Sequence, residues 1–291
     1  MANFSNATIG VTGAGGHLGR AVIGYLRARG AKRIVGVTRD PAKLAPVEGV
    51  EVRAGDFGDP ASLAAAFEGI GRLLVISTDR IAERIDGHVA AIDAAERAGV
   101  AHVIYTSIAS PYPHHAHLVF NDHFWTEARL FAFGGGWTAL RDNLYGDFLV
   151  TEARRALDSG KLIHAAGNGR RALVARDDIA ATAAGVLLAA EGREIVDVSG
   201  PEALSYAEIA AILSRLAGRP VEAVAVSEEA QIAALVAAGV PQAMAGAIAG
   251  FDAAAARGLL AIRGDGVRRF AGREPKSIEA ILAEGLAGPG A

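Results

Sequence analysis

Gly13, Gly16 and Gly19 are spaced G-x-x-G-x-x-G, directly after the apolar, β-branched run 8–12 and directly before the helical pattern 21–26. A strand, a tight glycine turn and a helix start, in that order, suit the binding of a phosphate. Gly13 allows the turn, Gly16 lets a pyrophosphate approach the backbone, and Gly19 lets the helix pack closely. The helix's first N–H groups add partial positive charge, and Ala14, His17 and Leu18 belong to the same turn. A second strand, 33–38, completes a βαβ unit, so the run reads as a dinucleotide site. Where such a site for NAD carries an acid for the ribose hydroxyls, this chain has Arg39, with Lys43 one helical turn beyond. Two cations there suit a 2′-phosphate and imply NADP(H), the alternative being a pair of surface charges. Asp40 precedes Pro41 and reads as a helix N-cap.

Further polar and aromatic groups fall where strands end. Asp56 and Phe57 follow the strand 50–54 and are placed for an adenine edge and face, or for a capped turn over the core. Ser77, Thr78 and Asp79 close the strand 73–79, Thr106 and Ser107 the strand 103–107, and Asp142, Asn143, Leu144 and Tyr145 follow the strand 137–141. In an open parallel sheet these carboxyl ends face the ligand crevice. Phe120, Phe124, Trp125, Leu144, Tyr145 and Phe148 cluster there in sequence and predict an apolar substrate pocket. His114, His115 and His117 invite a metal reading. The flanking Pro111 and Pro113 and the lack of zinc-hydrolase spacing argue instead for an exposed loop, and no metal is expected.

The elements that position these groups follow from pattern. Asp59 and Pro60 start a helix through Phe67. Ile81, Ile85, Val89 and Ile92 predict the core face of the next helix. Asn121 or Asp122 is expected to cap the following one, Asp177 or Asp178 a later one, and Ser205 with Glu208 forms a capping box. The fold class expected is α/β, a Rossmann-type doubly wound parallel sheet with a smaller C-terminal α/β lobe. Residues 1–155 form the cofactor domain; 156–291 complete the sheet and build the lobe.

Bulk properties narrow the partners. The 291 residues carry a net charge of -3 with acids and bases interspersed, so no polyanion partner such as nucleic acid is expected. No apolar run reaches the ~18 residues of a membrane span, and the first residues lack a signal-peptide pattern, so a cytoplasmic enzyme with a small-molecule substrate is expected. A homodimer is compatible with the sequence. With no cysteine, thiolate chemistry and cysteine-bound metals are excluded.

The chain resembles an atypical short-chain dehydrogenase/reductase of the NmrA-like group, and within it the bacterial NAD(P)H:quinone oxidoreductases of type 2. The resemblance rests on Gly13 to Gly19, Thr38 to Lys43, Gly55 to Asp59, Tyr105 to Ser107, His123 with Thr126 and Glu127, Leu140 to Tyr145, and Ala165 to Gly169, and so spans most of the chain. It implies NADP(H) with Arg39 on the 2′-phosphate, Ser77 to Asp79 along the cofactor, and Asp142 to Tyr145 near the nicotinamide. Two departures matter. Ala128 stands where the quinone reductase pattern has lysine, and no tyrosine is followed four residues later by lysine. The usual tyrosine–lysine proton donor is therefore missing. The leading expectation is an NADPH-dependent oxidoreductase passing hydride to a conjugated acceptor (a quinone, an enone or a dye cation), with Tyr145 and His123 the candidates to orient it or pass a proton. A non-catalytic NADP(H)-binding sensor is the alternative. An isomerase or lyase is a third reading, for which no acid/base pair is visible.

Overall fold

In the computed structural model, which describes residues 3–43, 47–80, 83–114 and 118–288, strands and helices alternate through the first two thirds of the chain. The strands are β1 Thr8–Thr12, β2 Arg33–Thr38, β3 Val50–Ala54, β4 Arg72–Val75, β5 His102–Ile108, β6 Gly136–Asp142, β7 Lys161–His164, β8 Arg170–Arg171, β9 Arg193–Val198, β10 Leu204–Ser205 and β11 Glu222–Ala225. The helices are α1 His17–Ala28, α2 Pro60–Phe67, α3 Arg84–Arg97, α4 Leu118–Phe131, α5 Gly146–Ser159, α6 Arg176–Ala189, α7 Tyr206–Ala217, α8 Glu228–Ala237, α9 Gln242–Ala256 and α10 Ile278–Ala287. His115, His117, Ile81 and the side chain of Lys43 lie outside the described residues.

Seven strands form one parallel sheet in the order β3-β2-β1-β4-β5-β6-β9. β4 and β5 are buried along their whole length, which is why their apolar residues, Leu73 to Val75 and Val103 to Tyr105, run consecutively rather than alternate. Two cores sandwich the sheet. On one face Ile9, Val11, Leu26, Leu140, Ala183 and Phe270 pack beneath α1 and α6; on the other Val35, Phe67, Leu73, Ile92, Tyr105 and Leu130 pack beneath α2, α3 and α4. A third core, with Phe120, Leu149, Ile209, Leu213, Ala254 and Leu282, belongs to α5, α7, α9 and α10 beyond the sheet's carboxyl end. The expected sheet with a smaller α/β lobe is observed. The strand order reverses between β1 and β4, where a ligand crevice is expected.

Local signals held where the partner was close in sequence. Asp59 accepts from Ala61 N at 3.2 Å above Pro60, and the Ser205–Glu208 box is complete. The Asp40 carboxylate also caps, but only a three-residue 3-10 turn, Pro41–Lys43. Three other assignments moved. Asp147, not Asp177 or Asp178, accepts from Arg176 N at 2.8 Å to start α6, because Asp178 is buried against Arg273 and Lys276 of the C-terminal segment. α4 begins at Leu118, so Asn121 and Asp122 lie inside it. On α3 Ile92 is buried as expected, but the rest of the buried face runs through Arg84, Gly87, His88, Ala91 and Ala95, while Ile85 and Val89 are half-buried. Phe57 explains the rotation: a Cβ on Gly87 would lie 3.2 Å from the Phe57 Cβ, so Gly87 faces inward to admit that ring.

Gly19 fits against the turn it follows. A Cβ there would press on the Gly13 carbonyl and come within 2.9 Å of Ala14 Cα, whereas one on Gly24 of the same helix meets nothing within 4 Å. Gly19→Ala is therefore expected to cost ~1–3 kcal/mol as an overpacked site, and Gly24→Ala to gain up to ~1 kcal/mol from helix propensity. Urea unfolding of the two variants checks the pair.

Candidate active site

The crevice is opened by β4 leaving the sheet early. Its ladder with β5 ends at Val75, four residues before the expected Asp79, and residues 76–78 continue as an extended strap. Three successive amides then need partners, since unpaired backbone donors are costly. Ile76 N donates to Thr12 Oγ1 at 2.9 Å, Ser77 N to Thr106 Oγ1 at 2.8 Å, and Thr78 N to His88 Nε2 at 3.0 Å. Side chains from β1, β5 and α3 thus replace the ladder.

Facing the strap is the glycine turn. Gly13 adopts φ +62°, a left-handed conformation that favours glycine. No side chain caps α1, so the N–H groups of its first turn point out at the crevice. A cleft of about 980 Å³ lies here. Of the expected cofactor residues it is lined by Gly13, Gly16, Arg39, Asp56, Phe57, Ser77, Thr78 and Asp79, together with Thr12, Gly15, Arg80, Glu83, Asp86 and Gly87, which the sequence did not single out. Arg39 is exposed at the rim and has no ion-pair partner among the described residues. Arg80 sits 3.8 Å from Asp56 Oδ1 and 3.5 Å from Glu83 Oε2. Asp56 also accepts from Gly58 N, so the capped-turn reading of that residue holds while it lines the cleft.

Other expected residues are turned to structural work. Ala14 and Leu18 are buried beneath the turn, and His17 is exposed at the start of α1. Ser107 donates to Glu127 Oε1 at 2.7 Å, and Glu127 holds Arg141 through two bonds. Its hydroxyl is committed to that buried pair. Asn143 donates from Nδ2 to Leu260 O at 3.0 Å and accepts from Leu144 N. Phe120 is 1% exposed, stacked on Tyr112 and edge-on to Phe251, so it is core rather than a wall of an open pocket. Phe124 meets Trp125 edge-to-face with the Trp125 ring half in solvent.

The two candidate proton carriers lie in different settings. His123 is buried, with Nδ1 2.7 Å from the Tyr105 hydroxyl oxygen. Burial, then the nearby Arg84 and His88, hold its pKa well below the ordinary histidine range, so it stays neutral. Tyr145 stacks on Phe148 with ring centroids 5.6 Å apart, and the Arg176 guanidinium lies 5.4 Å from both rings. Phe148 is 61% exposed, so the stack presents an open aromatic face. Burial and, next, Asp142 raise the Tyr145 pKa above its ordinary value. Among the described residues no cluster of His, Asp or Glu could hold a metal.

A family model described as NAD(P)H-binding matches residues 13–190. The chain is 35% identical over 257 residues to quinone oxidoreductase 2 of Escherichia coli, covering 87% of this chain and 89% of that protein. The solved structure of the E. coli NADPH-dependent quinone oxidoreductase complexed with NADPH superposes with a TM-score of 0.89 at 32% identity, over 95% of this chain and 99% of that one. The Citrobacter triphenylmethane reductase complexed with NADP(H) superposes with a TM-score of 0.88 at 32% identity, over 96% and 100%.

Asp142, at the crevice end of β6, is buried and neither carboxyl oxygen has a hydrogen-bond partner among the described residues. Burial raises its pKa well above the usual carboxylate range. The unfolded chain releases this proton near pH ~4, so the native state loses stability as pH rises from there through the folded value. Asp142→Asn removes that loss. Its stability relative to wild type should be unchanged at the acid end and should climb with pH, by ~1–3 kcal/mol near neutrality; denaturant midpoints measured from pH 4 to 8 check the trend.

Proposed function

The chain belongs to the NAD(P)H-binding family, and we propose that it is an NADPH-dependent oxidoreductase that reduces conjugated small-molecule acceptors of the quinone or dye-cation type. The observation that carries the reading is the cleft at the switch point. It combines a glycine-rich turn, an uncapped helix N-terminus and an Arg39 at the rim that has no ion-pair partner among the described residues. Those features fit a dinucleotide with a 2′-phosphate. Gly13 and Gly16 hold the pyrophosphate against α1; Arg39, with Lys43 beyond it, holds the 2′-phosphate; Asp56 and Phe57 border the adenine. Ser77, Thr78 and Asp79 run alongside, and Asp142 to Tyr145 border the nicotinamide. Residues 1–155 are the cofactor domain and 156–291 the remainder of the sheet and the substrate lobe. Family type as a short-chain dehydrogenase/reductase, a cytoplasmic location and a homodimer belong to the same proposal.

NADPH bound in the cleft supplies the hydride, and the protein supplies placement and water exclusion. The acceptor lies on the Tyr145–Phe148 stack, with Phe124 and Trp125 as further apolar surface. Arg176, over both rings, draws electron density from the platform's far side. Without a tyrosine–lysine pair the chain has no phenol acidified by a neighbouring ammonium. A conjugated acceptor does not need one: charge left by hydride addition is delocalised, and water or the Tyr145 hydroxyl can protonate it. The names of the two relatives described above, a quinone oxidoreductase and a triphenylmethane reductase, support this reading over a non-catalytic sensor.

NADPH oxidation followed with a panel of quinones and cationic dyes tests the assignment, and turnover of none of them would refute it. NADPH should bind at least several-fold more tightly than NADH, a difference that Arg39→Ala abolishes; parallel titrations read it. Gly16→Val places a side chain where the phosphates lie, its Cβ already 3.3 Å from Gly13 O, and should abolish turnover. Tyr145→Phe keeps the stack and should retain measurable turnover, while Phe148→Ala should raise the acceptor KM with little change in cofactor affinity.

A further inference from the structure

Thr78 lines the cleft, yet both polar groups of its backbone are held from behind by one helix. Its N–H donates to His88 Nε2 at 3.0 Å and its carbonyl accepts from Arg84 Nε at 2.8 Å. Arg84 and His88 stand one turn apart on the buried face of α3. An amide that donates to Nε2 leaves the ring's own proton on Nδ1. That atom lies 3.2 Å from Thr126 Oγ1 and 3.2 Å from the Tyr105 hydroxyl. The Thr126 hydroxyl donates to Asp122 O at 2.8 Å, so its oxygen keeps lone pairs for His88, and the Tyr105 oxygen, 2.7 Å from His123 Nδ1, is a second acceptor. The Thr78 amide therefore leaves His88 one arrangement, neutral with its hydrogen on Nδ1. A protonated His88 would turn a donor against the Thr78 amide.

We propose that His88 is a positioning residue for NADP(H), fixing the Thr78 peptide at the cleft wall, with Tyr105 and Thr126 facing its Nδ1 and holding it in the accepting tautomer. The inference rests on the cleft binding NADP(H) as proposed above. Filling the space between α3 and the sheet requires only an apolar side chain of similar size; what histidine adds is an acceptor aimed at Thr78 and a donor aimed away from it. Burial, and next the Arg84 cation, push its pKa down to about 3, so the acceptor persists at neutral pH. Because the strap borders the parts that NADPH and NADH share, His88 governs affinity for both. Arg39 governs the ratio between them.

Fluorescence titration of wild type, His88→Leu, His88→Gln and Arg39→Ala with NADPH and NADH separates these roles. His88→Leu should weaken both cofactors by about tenfold, equivalent to ~1.4 kcal/mol, with their ratio unchanged. His88→Gln, which keeps an acceptor for the amide, should recover part of the loss. A merely packing role would lower Tm without moving either affinity, and a folded His88→Leu within about twofold of wild type for both cofactors overturns the inference alone. Wild type that binds neither cofactor overturns the reading of the cleft and this inference with it. Should His88→Leu fail to fold, nitrogen NMR of wild type with labelled histidine decides: the Nδ1–H tautomer of His88, with an Nε2 resonance that moves on saturation with NADP+, is expected. The opposite tautomer, an imidazolium at neutral pH, or a resonance indifferent to NADP+ overturns it.

Discussion

Three consecutive backbone amides have no strand to pair with once β4 leaves the sheet, and the cleft exists because side chains take the place of that strand. An unpaired buried N–H costs ~1–3 kcal/mol, so an opening left unsatisfied over residues 76–78 would close or unfold. Thr12, Thr106 and His88 satisfy them, one from each element bordering the gap. The two threonines belong to strands on either side of β4 and can reach the strap only because β1, β4 and β5 are adjacent and parallel. The cleft's shape is thus tied to the topology of the sheet.

The same layer also fixes α4 to the sheet. Beneath it, Ser107 feeds the Glu127–Arg141 pair, and Tyr105 joins His88 to His123. Tyr105 and Ser107 alternate on one face of β5, as the period of a strand requires. Thr106 points the opposite way, toward the strap. A single strand end therefore serves two networks. Polar networks in a low-dielectric interior are favourable only when every member is satisfied, and the proton arrangement around His88 meets that condition for the Thr78 amide, Tyr105 and Thr126.

Beyond the sheet's carboxyl end, the start of α5 presents a surface of aromatic rings rather than a set of acids and bases. Tyr145 and Phe148 are one helical turn apart at the start of α5 and stack at an interplanar angle of 15°. Arg176, at the start of α6, reaches the same rings because Asp147 caps its backbone. Such a platform favours flat partners, in keeping with chemistry in which the cofactor does the reducing.

The parallel sheet, the glycine turn, Arg39 at the end of β2 and two of the helix caps were legible in the sequence because each rests on groups within a few residues of one another. β-branched runs, the G-x-x-G-x-x-G spacing and an Asp-Pro pair carry their meaning locally. The lack of cysteine and of a tyrosine–lysine pair narrowed the chemistry by the same kind of reading. What sequence could not supply was direction. Ser107 and Asn143 look like ligand groups until Glu127 and Leu260 are found opposite them, and Asp178 looks like a cap until Arg273 arrives from the far end of the chain. Phe120 is indistinguishable from Phe148 by type, yet one is core and the other open to solvent. His88 gave only a faint signal, as the polar member four residues after Arg84 on an otherwise apolar helix face. Its partner is the peptide of Thr78 rather than a side chain, and a peptide's need for an acceptor becomes visible only when the fold takes its strand away.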